Sequence, residues 1–238
     1  MSLNQEARPP TQNRILAALP TEEYERLSPH LEEVQMPHGK ILYNTQDTIE
    51  HVYFPTKAMI SLVSQLSDGS SVEVGVVGFE GMAGLPFILG VDKSPHECMV
   101  QIQDGATRVK AEVIKQEFKR GGKLQDMLLR YTQSLMLQSS QVAACNRIHL
   151  IEERLARWLL MSYDRCVCEE LPLTQEFLSM MLGVRRAGVT SAAVHLQAEG
   201  FIQYRRGHIT ITDKEALEDF SWECYRIIKA DFDSSLSQ

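Results

Sequence analysis

Within residues 173–212, Arg185, Arg186, Thr190, Ser191 and His195 recur at helical spacing, and Thr174, Gln175, Arg205 and Arg206 flank them. All nine side chains can donate hydrogen bonds. A guanidinium can grip guanine O6 and N7 with two hydrogen bonds, a pairing worth about 1–3 kcal/mol of discrimination between bases. The first five residues are therefore candidates for contacting DNA bases. The four flanking residues suit phosphate contacts, which fix register and orientation without reading sequence.

Such side chains need a rigid frame, and the stretch LTQEFLSMMLGVRRAGVTSAAVHLQAEGFIQYRRGHITIT supplies one. Thr174 is a good N-cap, Phe177, Leu178, Met181 and Leu182 repeat at helical spacing, and Gly183 ends a first helix. A second helix follows at once. Val189, Ala193, Val194 and Leu196 are its expected packing positions, which leaves the donor-rich residues outward. Phe201–Tyr204, the basic turn Arg205-Arg206-Gly207 and His208–Thr212 then read as a β-hairpin. Helix pair, glycine turn and basic hairpin together predict a winged helix-turn-helix, whose second helix enters the major groove.

The formal charge of −7 looks wrong for such a role until it is divided along the 238 residues. Residues 1–115 carry nine Lys/Arg against fifteen Asp/Glu, whereas residues 173–212 carry four against two. That local excess is modest, so phosphate affinity would gain from a second copy. The chain shows no apolar run of membrane-spanning length and no basic-then-apolar leader, which predicts a cytoplasmic protein without a membrane partner. Five scattered cysteines, an odd number, argue against a disulfide framework.

Upstream, residues 1–13 read as a flexible lead, and Arg14 to Leu31 as two small helices. Short β-type runs follow: Lys40–Tyr43, His51–Phe54, Ala58–Gln65, Ser71–Val77, Glu97–Gln101 and Ala106–Lys110, with Asp68-Gly69 as a hairpin turn. Six of the fourteen glycines lie within Gly69–Gly90. Gly78-Phe79-Glu80-Gly81-Met82-Ala83-Gly84 lacks the lysine and spacing of a phosphate-binding loop, so a tight turn is expected. Leu124, Leu128, Tyr131, Leu135, Gln138 and Val142, continuing to Cys145, alternate spacings of four and three. This heptad seam predicts a dimerisation helix, with Gln138 as a polar register-setter. Ile148–Tyr163 reads as a further helix with Arg157 on its outer side, and the tail after Asp213 as one amphipathic helix.

The sequence has no nucleophile beside a histidine at motif spacing and no zinc-protease, Walker or dinucleotide signature, so it is not expected to be an enzyme. His51, His96 and Cys98 are read as packing or surface residues. Cys166-Val-Cys168 lacks zinc-type spacing, Cys145 reads as a buried thiol, and no metal ligands are expected.

The order of parts resembles the Crp/Fnr family of bacterial transcription regulators from about Ile15 to Ala216. The implied class is α+β: an N-terminal antiparallel, cyclic-nucleotide-binding-like β-roll, a long dimerisation helix and a C-terminal winged helix-turn-helix. Implied boundaries are 14–115 for the sensory roll, 116–146 for the dimerisation helix and 147–238 for the DNA-binding part. The implied role is a homodimeric regulator on a two-fold operator, gated by an effector in the roll. Its partners would be double-stranded DNA, a second copy, a small-molecule effector of unknown identity and, as a further candidate, RNA polymerase. The alternative is a constitutive or protein-controlled regulator with a degenerate, ligand-free roll.

Carried onto this chain, the family's recognition helix falls on Arg185 to Ser191, where Ala187 replaces a common glutamate and Ser191 a second arginine, so the operator should differ from the family consensus. Gly81, Met82, Ala83, Gly84, Leu85, His96 and Glu97 fall on the effector pocket. Met82 stands where cyclic-AMP binders have a glutamate for the ribose, and Pro95-His96-Glu97-Cys98 replaces their phosphate-binding Arg-Ser pair. Cyclic AMP is therefore disfavoured. No cysteine precedes Cys98, which also disfavours an iron–sulfur cluster.

Overall fold

A computed structural model describes residues 12–165 and 170–236. Asn13 caps the first helix, α1 (Arg14–Ala17), by accepting from the backbone N–H groups of Ile15 and Leu16. Its amide nitrogen donates to the carbonyls of Pro55 and Gly81, which ties this helix to the roll. After α2 (Thr21–Leu27) and a single 3-10 turn come seven strands with one short helix among them. These are β1 (Glu32–Met36), β2 (Ile41–Tyr43), β3 (His51–Pro55), β4 (Met59–Gln65), β5 (Ser71–Val77), α3 (Leu85–Ile88), β6 (Glu97–Ile102) and β7 (Asp104–Lys110). They form two antiparallel sheets, ordered β1-β7-β3 and β2-β6-β4-β5. Val52, Phe54, Met59, Ile60, Val77 and Val100 are buried in the core. Strand β1 was not expected: its EEVQM sequence lacks an apolar alternation, and pairing with β7 places Glu32 against Arg108 instead.

Helices α4 (Ala111–Arg120), α5 (Lys123–Ile148) and α6 (Ile151–Arg165) follow. The 26 residues of α5 span about 39 Å at a rise of about 1.5 Å per residue. Here the expected dimer seam is corrected. Leu124, Leu128, Tyr131, Gln138, Val142 and Cys145 are buried within the single chain, and Leu135 is half-buried. The stripe packs on β5 and on the C-terminal helix α10 (Trp222–Ser235). Gln138 is a sheet ligand there, its Oε1 accepting from Val76 N–H at 2.7 Å. The opposite face of α5 exposes Leu129 and Met136.

Helix α6 buries Leu155, Trp158, Leu159 and Met161 as expected, but it buries Arg157 as well. After β8 (Leu171–Pro172) come α7 (Gln175–Leu182), α8 (Arg186–Ala198), the hairpin β9 (Ile202–Arg205) and β10 (His208–Ile211), and α9 (Lys214–Phe220). The tail is therefore two helices, not one. It breaks between Phe220 and Trp222, which has a left-handed φ of 59°. Cys166 and Cys168 lie outside the described residues, as does most of the N-terminal lead.

Two buried links join α6 to the roll. Trp158 Nε1 donates to Glu73 Oε1 at 2.8 Å, and Arg165 Nε to Glu80 Oε1 at 2.7 Å. The glycine-rich turn owes its composition to this packing. A side chain at Gly78 would meet Arg165, and one at Gly81 would strike the Tyr131 ring.

Candidate functional site

The Thr174 hydroxyl accepts from Phe177 N–H at 3.2 Å, and Gly183 ends α7 in the left-handed conformation at φ 61°. That turn sends the chain directly into α8, whose first residue is Arg186. Val189, Ala192, Ala193 and Leu196 form the buried side of α8. Val194, expected to pack inward, is instead exposed. Arg185, Arg186, Ala187 and Ser191 are exposed around the helix start, and Thr190 is half-buried with its hydroxyl 3.0 Å from Gln175 Oε1. His195 departs from the expected group. Its ring is exposed, yet it lies 3.7 Å from carboxylates of both Glu152 and Glu199 and meets the Phe220 ring edge-on.

The hairpin turns through Arg206 and Gly207 alone, with φ of 49° and 82°, a pair of positive values that matches strand twist in a two-residue hairpin. Gly207 O accepts from Leu173 N–H at 2.7 Å, which sets the wing tip beside the start of α7. Tyr204 connects the wing to both helices: its hydroxyl donates to Leu173 O at 3.0 Å, and its backbone N–H donates to Gln197 Oε1 at 2.9 Å. Burial raises the Tyr204 phenol pKa, while the nearby Arg186 charge works in the opposite direction. The structure thus gathers Thr174, Gln175, Arg186, Thr190 and the Arg205–Gly207 tip around one surface. A buried layer beneath holds them.

The residues assigned to an effector pocket lie apart from that surface. Met82, Ala83 and Leu85 are buried, and Gly84 caps α3 with a left-handed φ of 100°. His96 is half-buried, burial holds its pKa below the ordinary value, and its Nδ1 has no protein partner. Glu97 reaches outward to Gln65 Nε2 at 2.7 Å. Next to them, burial pushes the Cys98 thiol up to about 12, which makes it an inert packing group.

Among the described residues, one group that the sequence reading did not bring together lies apart from both surfaces. Cys145 Sγ, His149 Nδ1 and Cys224 Sγ lie within 4.8 Å of one another. Burial, with Cys145 close by, pushes the Cys224 thiol up to about 11. The only local sequence signal was the four-residue spacing of Cys145 and His149; Cys224 comes from a distant helix.

Comparison with known proteins agrees with this geometry. Residues 153–220 match the family model of the Crp-like helix-turn-helix domain. A putative transcriptional regulator of the Crp/Fnr family from Eubacterium rectale is 20% identical, with a TM-score of 0.64 over 85% of this chain and 95% of that one. FixK2 from Bradyrhizobium japonicum is 16% identical, with a TM-score of 0.68 over 80% and 96%. The c-di-GMP-responsive global regulator CLP from Xanthomonas campestris is 14% identical, with a TM-score of 0.64 over 81% and 99%. No curated protein matches the chain in sequence. No helix among the described residues is long and apolar enough to cross a membrane. Residues 153–220 are thus similar to the Crp-like helix-turn-helix domain, and the chain as a whole shares its fold with solved Crp/Fnr regulators.

Proposed function

We propose that this chain is a DNA-binding transcription regulator that pairs with a second copy and reads a two-fold operator through α8. One observation carries the reading: the start of α8 is exposed beside the wing tip, inside a Crp-like helix-turn-helix. Arg185, Arg186 and Ser191 are the base-reading residues, with Thr190 bracing α8 on α7. Thr174, Gln175, Arg205 and Arg206 hold phosphates. His195 is the weakest candidate for base reading, because its ring already lies beside the Glu152 and Glu199 carboxylates.

Pairing is assigned to the outward face of α5, since the buried stripe is already occupied. Leu129, Gln133, Met136, Ser140 and Ala143 follow one another at spacings of four and three along that face, where Leu129 and Met136 are exposed large apolar residues. In this division residues 14–115 sense, 116–146 pair and 147–238 bind DNA.

Gating by a small polar effector is supported by buried groups without protein partners: Gln101 Nε2, Ser134 Oγ and Gln138 Nε2. Leaving such groups unpaired costs roughly 1–3 kcal/mol each, which a polar ligand would offset. Cyclic AMP held by an arginine is disfavoured, because Met82 is buried where an acid would meet the ribose. The second reading, a ligand-free roll, draws its support from Tyr131, which packs directly on Gly81.

The test is a gel shift on selected operator and random duplexes. Arg186→Ala should weaken operator binding far more than random binding, whereas Arg206→Ala should weaken both alike. Equal losses for Arg186→Ala would remove the base-reading assignment. Identical operator affinity across all metabolite fractions of a cell extract would favour the ligand-free roll.

A further inference from the structure

Where α5, α6 and α10 meet, two cysteines and a histidine converge outside the surfaces assigned above. Cys145 and His149 are four residues apart at the end of α5, so both project to one side. Cys224 arrives from α10. His149 Nδ1 lies 3.3 Å from Cys145 Sγ and 3.7 Å from Cys224 Sγ. Around a tetrahedral zinc ion, with Zn–S of about 2.3 Å and Zn–N of about 2.0–2.1 Å, the sulfur-to-nitrogen edge is about 3.5 Å. The two observed separations bracket that edge. Two sulfurs and an imidazole are also a soft donor set, which selects zinc-like ions over magnesium or calcium.

The surroundings are organised as an outer shell. Arg157 Nε donates to Cys145 Sγ at 3.3 Å, a contact that orients the sulfur. The His149 ring stacks on Trp222, with centroids 5.7 Å apart and planes 21° from parallel, which fixes its orientation. Trp222 Nε1 is in turn held by Glu153 Oε1 at 2.9 Å. Trp222 also adopts the left-handed backbone conformation, which is costly for a residue with a bulky side chain. That conformation is where α10 begins, two residues before Cys224.

We propose that Cys145, His149 and Cys224 form a binding site for one thiophilic divalent cation of the zinc type, with three protein ligands and a fourth position for water. The ion would join the end of the long helix to the C-terminal helix. Because it binds the folded arrangement of two separate elements, it should stabilise the protein.

The experiment titrates the reduced, full-length chain with Co(II) under anaerobic conditions and then displaces it with Zn(II). One Co(II) per chain is expected, with the visible bands of a tetrahedral site and sulfur-to-metal charge transfer, and Zn(II) should raise the thermal midpoint. Cys145→Ser, His149→Ala and Cys224→Ser should each weaken binding by at least about a hundredfold, whereas a Cys166→Ser/Cys168→Ser variant should bind normally. Circular dichroism checks that each variant is folded. The proposal is overturned if the wild-type chain takes up no Co(II) and shows no Zn(II)-dependent midpoint shift. It is equally overturned if the bands survive loss of both Cys145 and Cys224, or if reduction of a Cys145–Cys224 disulfide yields a protein that binds neither ion.

Discussion

Glu73 is the most informative single residue in the roll, because its buried carboxyl group is hydrogen-bonded only by neutral side chains, with the Arg157 and Arg165 charges acting more weakly. Ser61 Oγ donates to its Oε2 at 2.6 Å and Trp158 Nε1 to its Oε1 at 2.8 Å. Burial nevertheless prevails and raises its pKa from 4.5 to about 7, against the pull of those two hydrogen bonds. Since the folded value lies above the unfolded one, this contribution to stability is fully present below about pH 4.5 and is lost as pH rises to about 7. The size is on the order of a few kcal/mol. His96 tilts part of the same window the other way, because burial lowers its folded pKa and its contribution is lost as pH falls. Glu73→Gln isolates the first effect. Urea unfolding of both proteins should show wild-type stability, relative to the variant, falling between pH 5 and 7.5; parallel profiles would refute the assignment. Residues of this kind were poorly legible in sequence. Glu73 sits in an ordinary strand pattern, and Arg157 looked exposed only because its helix buries more than one face.

At the scale of elements, the helix-turn-helix and wing were legible because their chemistry is local. Thr174 caps α7, Gly183 supplies the left-handed turn, and Arg206-Gly207 forms the two-residue hairpin. Thr174→Ala removes the acceptor for Phe177 N–H and should destabilise the protein by about 1 kcal/mol in a denaturant titration. No change would mean that the cap carries no stability. The long helix was legible as a helix but misread in its pairing. A four-three apolar repeat specifies a buried stripe without saying what covers it, and here β5 and α10 do so. The expected partner face is the outward one, so Met136→Glu should shift the chain from dimer to monomer in light scattering while leaving its circular dichroism unchanged. A dimer that persists would place the pairing surface elsewhere. Cys145, His149 and Cys224 were invisible as a group for a related reason: Cys224 reaches the other two only through tertiary packing.

Across the whole molecule, the roll is tied to α6 by a buried polar link and to the helix-turn-helix by an apolar contact. Arg165 Nε reaches Glu80 Oε1, which also accepts from Gly78 N–H at 3.1 Å, and Gly183 of the helix-turn-helix lies against Val72 of β5. Arg165→Met would leave Glu80 buried without its cation, a change expected to cost about 3–5 kcal/mol. Calorimetry would read this as a lower melting midpoint, and an unchanged one would show that the link is not structural. These contacts connect the turn at Gly78–Gly81 to α6, the helix that precedes the proposed DNA-binding surface. Recovering duplexes from a random-sequence pool with the purified chain, and footprinting them with hydroxyl radicals, tests the central claim most directly. The account predicts two chains per duplex and two protected patches on one face, about 34 Å apart, that disappear with Arg186→Ala. A chain that stays single, protects one patch or retains no duplex at low salt would contradict it.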